Sequence, residues 1–152
     1  MLQDESLRAL PLAEQLARVS RVWKMVADRE LAPLDLTYPR WTALWKLHRM
    51  GDHIGQKQLA DGLEIELASL MRTLKQLEEQ ALITRYCCAQ DKRARIVSLT
   101  DAGRNLVTQL EARILQVRRT LLAGLTQAEL EQFSGILERM AHNALDSLAQ
   151  SV

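Results

Sequence analysis

Residues 69–76 read Ser-Leu-Met-Arg-Thr-Leu-Lys-Gln. On a helix, Leu70, Leu74 and Leu77 fall on one stripe, and Ser69, Arg72, Thr73, Lys75 and Gln76 are expected on the outer side. Short hydroxyls, an amide and two cations in that arrangement suit the major groove of DNA. That groove admits one helix, and its base edges present donors and acceptors that differ for each base pair. Arg72 carries the two-pronged donor that matches guanine O6 and N7. Ser69 offers a hydroxyl to a phosphate or a base edge. Taken alone, such a face is equally an ordinary solvated surface, because helix-turn-helix patterns are degenerate.

A second cluster follows in Arg85, Asp91, Lys92, Arg93 and Arg95. Two β-prone runs, residues 82–89 (LITRYCCA) and 95–99 (RIVSL), flank the polar turn 90–94 and read as a basic hairpin. An arginine on such a thin wing, Arg93 here, can enter a minor groove. Narrow A·T-rich DNA concentrates negative potential there. Asp91 is placed to pair with Arg93 or a neighbour and hold the tip. The plainer reading is a charged turn kept polar by solvent.

These groups need positioning elements, and the rest of the chain supplies them. Leu12, Leu16, Val19, Trp23 and Val26 form one stripe of a helix over residues 12–31, with Pro11 at its start and Pro33 closing it. Thr37 reads as the N-cap of a second helix carrying Trp41, Leu44, Trp45 and His48, which Gly51 and Asp52 end. A short third helix spans about 56–62 and is broken by Gly62. The fourth runs over about 66–80, with Leu67, Leu70, Leu74, Leu77 and Ala81 as its buried face. Thr100 caps a long fifth helix whose Val107, Leu110, Ile114, Val117 and Leu121 step by three and four, a coiled-coil-like seam. Gly124 ends it. Thr126-Gln127-Ala128-Glu129 is a capping box for a sixth helix.

Helix, short helix, turn, helix and basic hairpin in that order make a winged helix-turn-helix. The fold class is therefore mainly α with a small β-hairpin wing (α+β). Residues 34–99 form the DNA-binding lobe, and 1–33 with 100–152 a helical dimerisation region. The apolar stripes of helices one, five and six are too extensive for a small lobe to cover, which points to a homodimer. An intramolecular bundle is the alternative.

Composition bounds the remaining classes. The chain has 152 residues and net charge +1, with 47% hydrophobic and only 4% aromatic residues, a balance that favours packed helices. It has no apolar run long enough for a membrane span and no secretory signal, so a cytoplasmic protein, nucleoid-associated when on DNA, is expected. Cys87 and Cys88 are adjacent and would face opposite ways on a strand, so no structural disulfide is expected. A redox switch there, with Arg85 near in sequence, is an alternative function. His48, Asp52 and His53 cross a helix end without a further ligand, so no metal is expected. There is no phosphate loop, nucleophile elbow or HExxH motif, so neither an enzyme nor a cofactor is expected. A helical protein-interaction module that never touches DNA is the other rival reading.

The same residues carry a resemblance. Gln58-Leu59-Ala60, Ser69-Leu70-Met71-Arg72-Thr73-Leu74, Leu77-Glu78, Ala81-Leu82-Ile83, Arg85, Asp91-Lys92-Arg93 and Leu99-Thr100-Asp101-Ala102-Gly103 together resemble the MarR family. Trp23, residues 34–37, Trp41 and the CAQDKRA stretch resemble its SlyA branch. Ala81 departs from the pattern, since many members have Gly there. The resemblance implies a homodimeric, sequence-specific transcriptional regulator of double-stranded DNA on palindromic A·T-rich sites. It acts as a repressor, or as an activator by displacing a silencing protein. It also implies a small aromatic or phenolic acid as effector. Arg18, Arg21, Arg40 and Trp41 lie on segments expected to meet between the dimer helices and the DNA lobe, where arginines can hold a carboxylate and an indole can stack on a ring. The alternative places Trp41 in the core and the arginines on the surface.

Overall fold

The computed structural model describes residues 7–91 and 94–150. Among these, six α-helices of two turns or more accompany a three-stranded sheet, the expected α+β class. They are α1 (Leu12–Leu31), α2 (Tyr38–Arg49), α3 (Gln56–Leu63), α4 (Leu67–Glu79), α5 (Asp101–Leu121) and α6 (Gln127–Gln150). The strands are β1 (Ile54–Gly55), β2 (Ile83–Cys87) and β3 (Arg95–Leu99), all antiparallel in the order β1-β3-β2. The chain divides into two compact units, one ending at Arg118 and one beginning at Arg119. No described helix is long and apolar enough to cross a membrane.

In the first unit the helix-turn-helix is built on leucine. Leu44, Leu47, Leu59, Leu70, Leu74 and Leu77 are almost wholly buried, each contributing roughly 1.5–3 kcal/mol. The α5 stripe differs from the expected free seam. Val107, Leu110 and Val117 are buried and Ile114 half-buried within the chain itself. Polar ties hold α5 there. Arg113 donates to the Glu30 carbonyl at 3.0 Å, and His48 meets Glu111 at 2.9 Å. In the second unit α6 buries no residue, and Phe133, Ile136, Leu137 and Met140 stay exposed. Its capping box forms as read: Thr126 Oγ1 accepts from the Glu129 amide, and Glu129 Oε1 accepts from the Thr126 amide.

Turn chemistry sets the angles between elements. Gly62 does not end α3, which runs on to Leu63. Glu64 then takes the left-handed conformation (φ 56°). Gly62 is instead a packing glycine, because a Cβ there would lie 2.7 Å from Met50 Sδ. Helix α4 ends the same way. Ala81 adopts φ 59°, its amide donates to the Glu78 carbonyl, and the Leu82 amide donates to the Leu77 carbonyl. That pair of bonds is the Schellman closure, for which glycine is the usual left-handed residue. Thr37 precedes α2 as expected, but its hydroxyl accepts from Arg40 Nε rather than from a helix amide.

Candidate nucleic-acid interface

Helix α4 presents Ser69, Arg72, Lys75 and Gln76 on its exposed side, as the periodicity indicates. Arg72 and Lys75 form no ion pair or side-chain hydrogen bond among the described residues. Three assignments need correction. Thr73 is only 7% exposed, and its hydroxyl donates to the Ser69 carbonyl one turn back, so it is packed rather than outward. Leu67 and Ala81, expected in the buried face, are exposed. Leu67 sits in the first turn, before the helix beds into the core, and Ala81 lies beyond the last turn in the left-handed cap.

The wing rises directly behind α4. Strands β2 and β3 pair Ile83 with Leu99, Arg85 with Val97 and Cys87 with Arg95. Strand β1 pairs with the far edge of β3, Ile54 with Val97. This two-residue strand was not legible in the sequence because it is too short to show an alternation. Arg95 and Asp91 are exposed. Lys92 and Arg93, the expected tip, lie outside the described residues. Cys87 is exposed and Cys88 half-buried, and both are free thiols.

Arg85 is placed differently from the other wing cations. Its side chain is 17% exposed and forks onto Glu78 of α4, at 3.3 Å from Nε and 3.1 Å from NH2. NH1 also reaches Gln56 Oε1 at 3.3 Å. The hydrogen bond from Arg85 holds the Glu78 carboxyl below the usual carboxylate range. Arg85 therefore buttresses the wing root against α4 instead of facing outward.

A second tie was invisible in the sequence. Asp52, at φ 61°, accepts from the amides of His53 and Leu99 at 2.8 Å each, and Arg104 approaches its other oxygen at 3.6 Å. His53 Nδ1 lies 3.2 Å from the Tyr86 hydroxyl on β2. The turn after α2, the central strand and the start of α5 are thereby fixed together.

A cleft of about 940 Å³ opens between α2, α4 and the turn joining α3 to α4. Trp41 and Trp45 line it, with Lys46, Arg72 and Gln76 as polar neighbours. Of the four residues expected at an effector site, only Trp41 is here. It is 9% exposed, packs edge-on against Tyr38 at 5.2 Å and directs Nε1 to Asp28 Oδ1 at 3.5 Å. Arg40 is turned to Thr37 and to Gln80 Oε1, 2.8 Å away. Arg18 and Arg21 lie on α1, half-buried and exposed respectively, and do not line the cleft.

Known proteins match this arrangement. The sequence profile of the MarR family fits residues 36–94, from the end of the first connection through the wing turn. The transcriptional regulator PA3341 is 33% identical over 90% of this chain and 99% of its own, with a TM-score of 0.82. MepR of S. aureus, whose structure was solved as a DNA complex, is 27% identical over 88% of this chain and 98% of its own, with a TM-score of 0.81. The transcriptional regulator SlyA shares the fold, with a TM-score of 0.81 at 22% identity over 91% of this chain and 96% of its own. The family profile over residues 36–94, the shared fold and 33% identity to a transcriptional regulator along nearly its whole length agree that the chain belongs to the MarR family of transcriptional regulators, which are not enzymes.

Proposed function

We propose that this protein is a homodimeric regulator that binds double-stranded DNA, lays α4 in the major groove and reaches the adjacent minor groove with its wing. The observation that carries the reading is the exposed side of α4, where Arg72 and Lys75 stand without partners among the described residues. In water such cations are well solvated; against phosphates they release counterions, a large source of affinity. The DNA complex of MepR, a relative of similar length, supports the same use of the fold. In this reading Ser69, Lys75 and Gln76 position the helix and Arg72 reads guanine. Asp91, Lys92, Arg93 and Arg95 form the minor-groove wing, which favours A·T-rich flanks.

One lobe gives one reading helix, and a two-fold dimer gives two, about 34 Å apart on a palindrome. Residues 1–33 and 100–152 are proposed to dimerise. The support is exposed apolar surface: Leu12, Leu16, Val19 and Trp23 on α1, and Phe133, Leu137 and Met140 on α6. A SlyA-like role, repressing or relieving silencing, and control by a small aromatic or phenolic acid are part of the proposal. Trp41, at the cleft beside Arg72, supports the effector site. Arg18, Arg21 and Arg40 would have to come from elsewhere to join it.

The test is selection of duplexes from a random pool, followed by a mobility shift. A selected A·T-rich palindrome bound by two chains, with Arg72→Ala relaxing base preference, is expected. Failure to enrich any sequence would overturn the reading. Salicylate-like acids should quench tryptophan fluorescence and weaken the shift; no change in either removes the effector proposal.

A further inference from the structure

The leading half of α4 carries a feature that the polar reading face does not use. Ile65, Leu67 and Met71 are 42%, 40% and 45% exposed, and Ala68 is exposed between them. A lone exposed apolar residue means little. Four within seven residues, around the first turn and a half of a helix proposed to enter the major groove, form a continuous flank. The N-terminal part of such a helix is the part that meets base edges. Arg72 and Lys75 are interleaved with this flank. A dry protein partner covering the apolar groups would strand those cations. A thymine-bearing groove suits both, since the thymine 5-methyl is the apolar group on the major-groove edge and phosphates line its rim.

We infer that Leu67 and Met71 read thymine by packing on its 5-methyl group, so that this protein's base preference rests on methyl recognition as well as on Arg72. The inference rests on α4 being the DNA-reading helix. Leu67 and Met71 stand four residues apart, about 6 Å along the axis. Base pairs step by about 3.4 Å. The two side chains therefore stand nearly two base-pair steps apart and favour a pair of thymine methyls within two steps of each other in each half-site. Ala68, the small residue between Leu67 and Met71, lets the helix approach closely enough for both to touch.

The experiment uses the full-length protein and the duplex recovered by selection, synthesised once with thymine and once with deoxyuridine, which lacks only the methyl. Burial of one methyl corresponds to about a fourfold change in affinity, so a loss of about fourfold is expected for each methyl contacted. Leu67→Ala and Met71→Ala should each lower affinity for the thymine duplex and flatten the thymine-to-deoxyuridine ratio. Arg72→Ala should weaken binding to both duplexes and leave the ratio in place. Equal affinity of the parent protein for the two duplexes overturns methyl reading while DNA binding stands. A ratio that survives in both apolar variants overturns the assignment to Leu67 and Met71. Binding to neither duplex, and no enrichment in the selection, removes the DNA-reading function itself. Both side chains are exposed, so the variants should keep the parent's circular dichroism.

Discussion

Replacing Ala81 with Gly should stabilise this protein. Ala81 sits at φ 59° in the cap that turns α4 into the wing. The left-handed region costs a residue with a Cβ roughly 1–2 kcal/mol, and glycine escapes that cost. Glycine also loosens the unfolded chain, which returns about 0.4–1 kcal/mol. Ala81 is exposed, so its methyl gives up no core packing. The backbone bonds around it, including the Thr100 hydroxyl donating to the Ala81 carbonyl at 2.7 Å, do not depend on the side chain. The balance is a gain of about 0.5–1 kcal/mol, or a Tm higher by about 1–4 °C for a chain of this size. Urea denaturation at fixed protein concentration is the assay, because the proposed dimerisation would make stability depend on concentration. Ala81→Val is the matched control. A β-branched residue is still less at home at positive φ, so this variant should fall below the parent. An Ala81→Gly protein no more stable than the parent would refute the strain argument.

Three further outcomes follow from named contacts. A Cβ on Gly103 would overlap the Leu82 carbonyl, whereas one on Gly135 meets nothing within 4 Å. Gly135→Ala should therefore gain about 1 kcal/mol of helix propensity. Gly103→Ala should lose stability, because overpacking costs about 1–3 kcal/mol where a backbone must move; equal melting temperatures for the two would contradict this. Asp52→Ala leaves the buried Leu99 amide without its acceptor and should cost about 1–3 kcal/mol in urea melts. Asp52→Asn keeps an acceptor oxygen and tolerates φ 61°, so it should retain most of the stability; equal losses would sink the clamp. The Glu78 carboxyl is held below its ordinary range when folded, so its contribution is present above the unfolded value and fades as pH falls through the folded one. Glu78→Gln should be less stable than the parent at pH 7 by under about 1 kcal/mol, as for a surface pair. That gap should close in acid, and a gap constant from pH 7 to pH 3 would contradict it.

Much of the fold was legible because its helices are long and strongly periodic. The stripes of α1 and α4 and the Thr126–Glu129 box each carry a local signal that tertiary packing did not override. What escaped was decided by tertiary contact. Gly62 looks like a helix stop, yet its role is to admit Met50. Asp52 looks like loop polarity, yet it accepts from an amide 47 residues away. Arg85 looks like a wing cation, yet a carboxylate on α4 claims it. In the α5 stripe, periodicity showed that one face is apolar but not that the chain itself would bury part of it. The exposed face of α4 was half legible. Arg72, Lys75 and Gln76 followed from helical phase, while Leu67 was assigned to the core because phase alone cannot say where along a helix the core begins.

The most direct measurement is a fluorescence-anisotropy titration of the selected duplex against a scrambled duplex of equal composition, at two salt concentrations. A dimer reading bases through α4 should bind the selected duplex at least about a thousandfold more tightly, with two chains per duplex. Its affinity should fall steeply as salt rises, and Arg72→Ala should reduce the preference without abolishing it. Equal affinity for the two duplexes, or one chain per duplex at saturation, would contradict it.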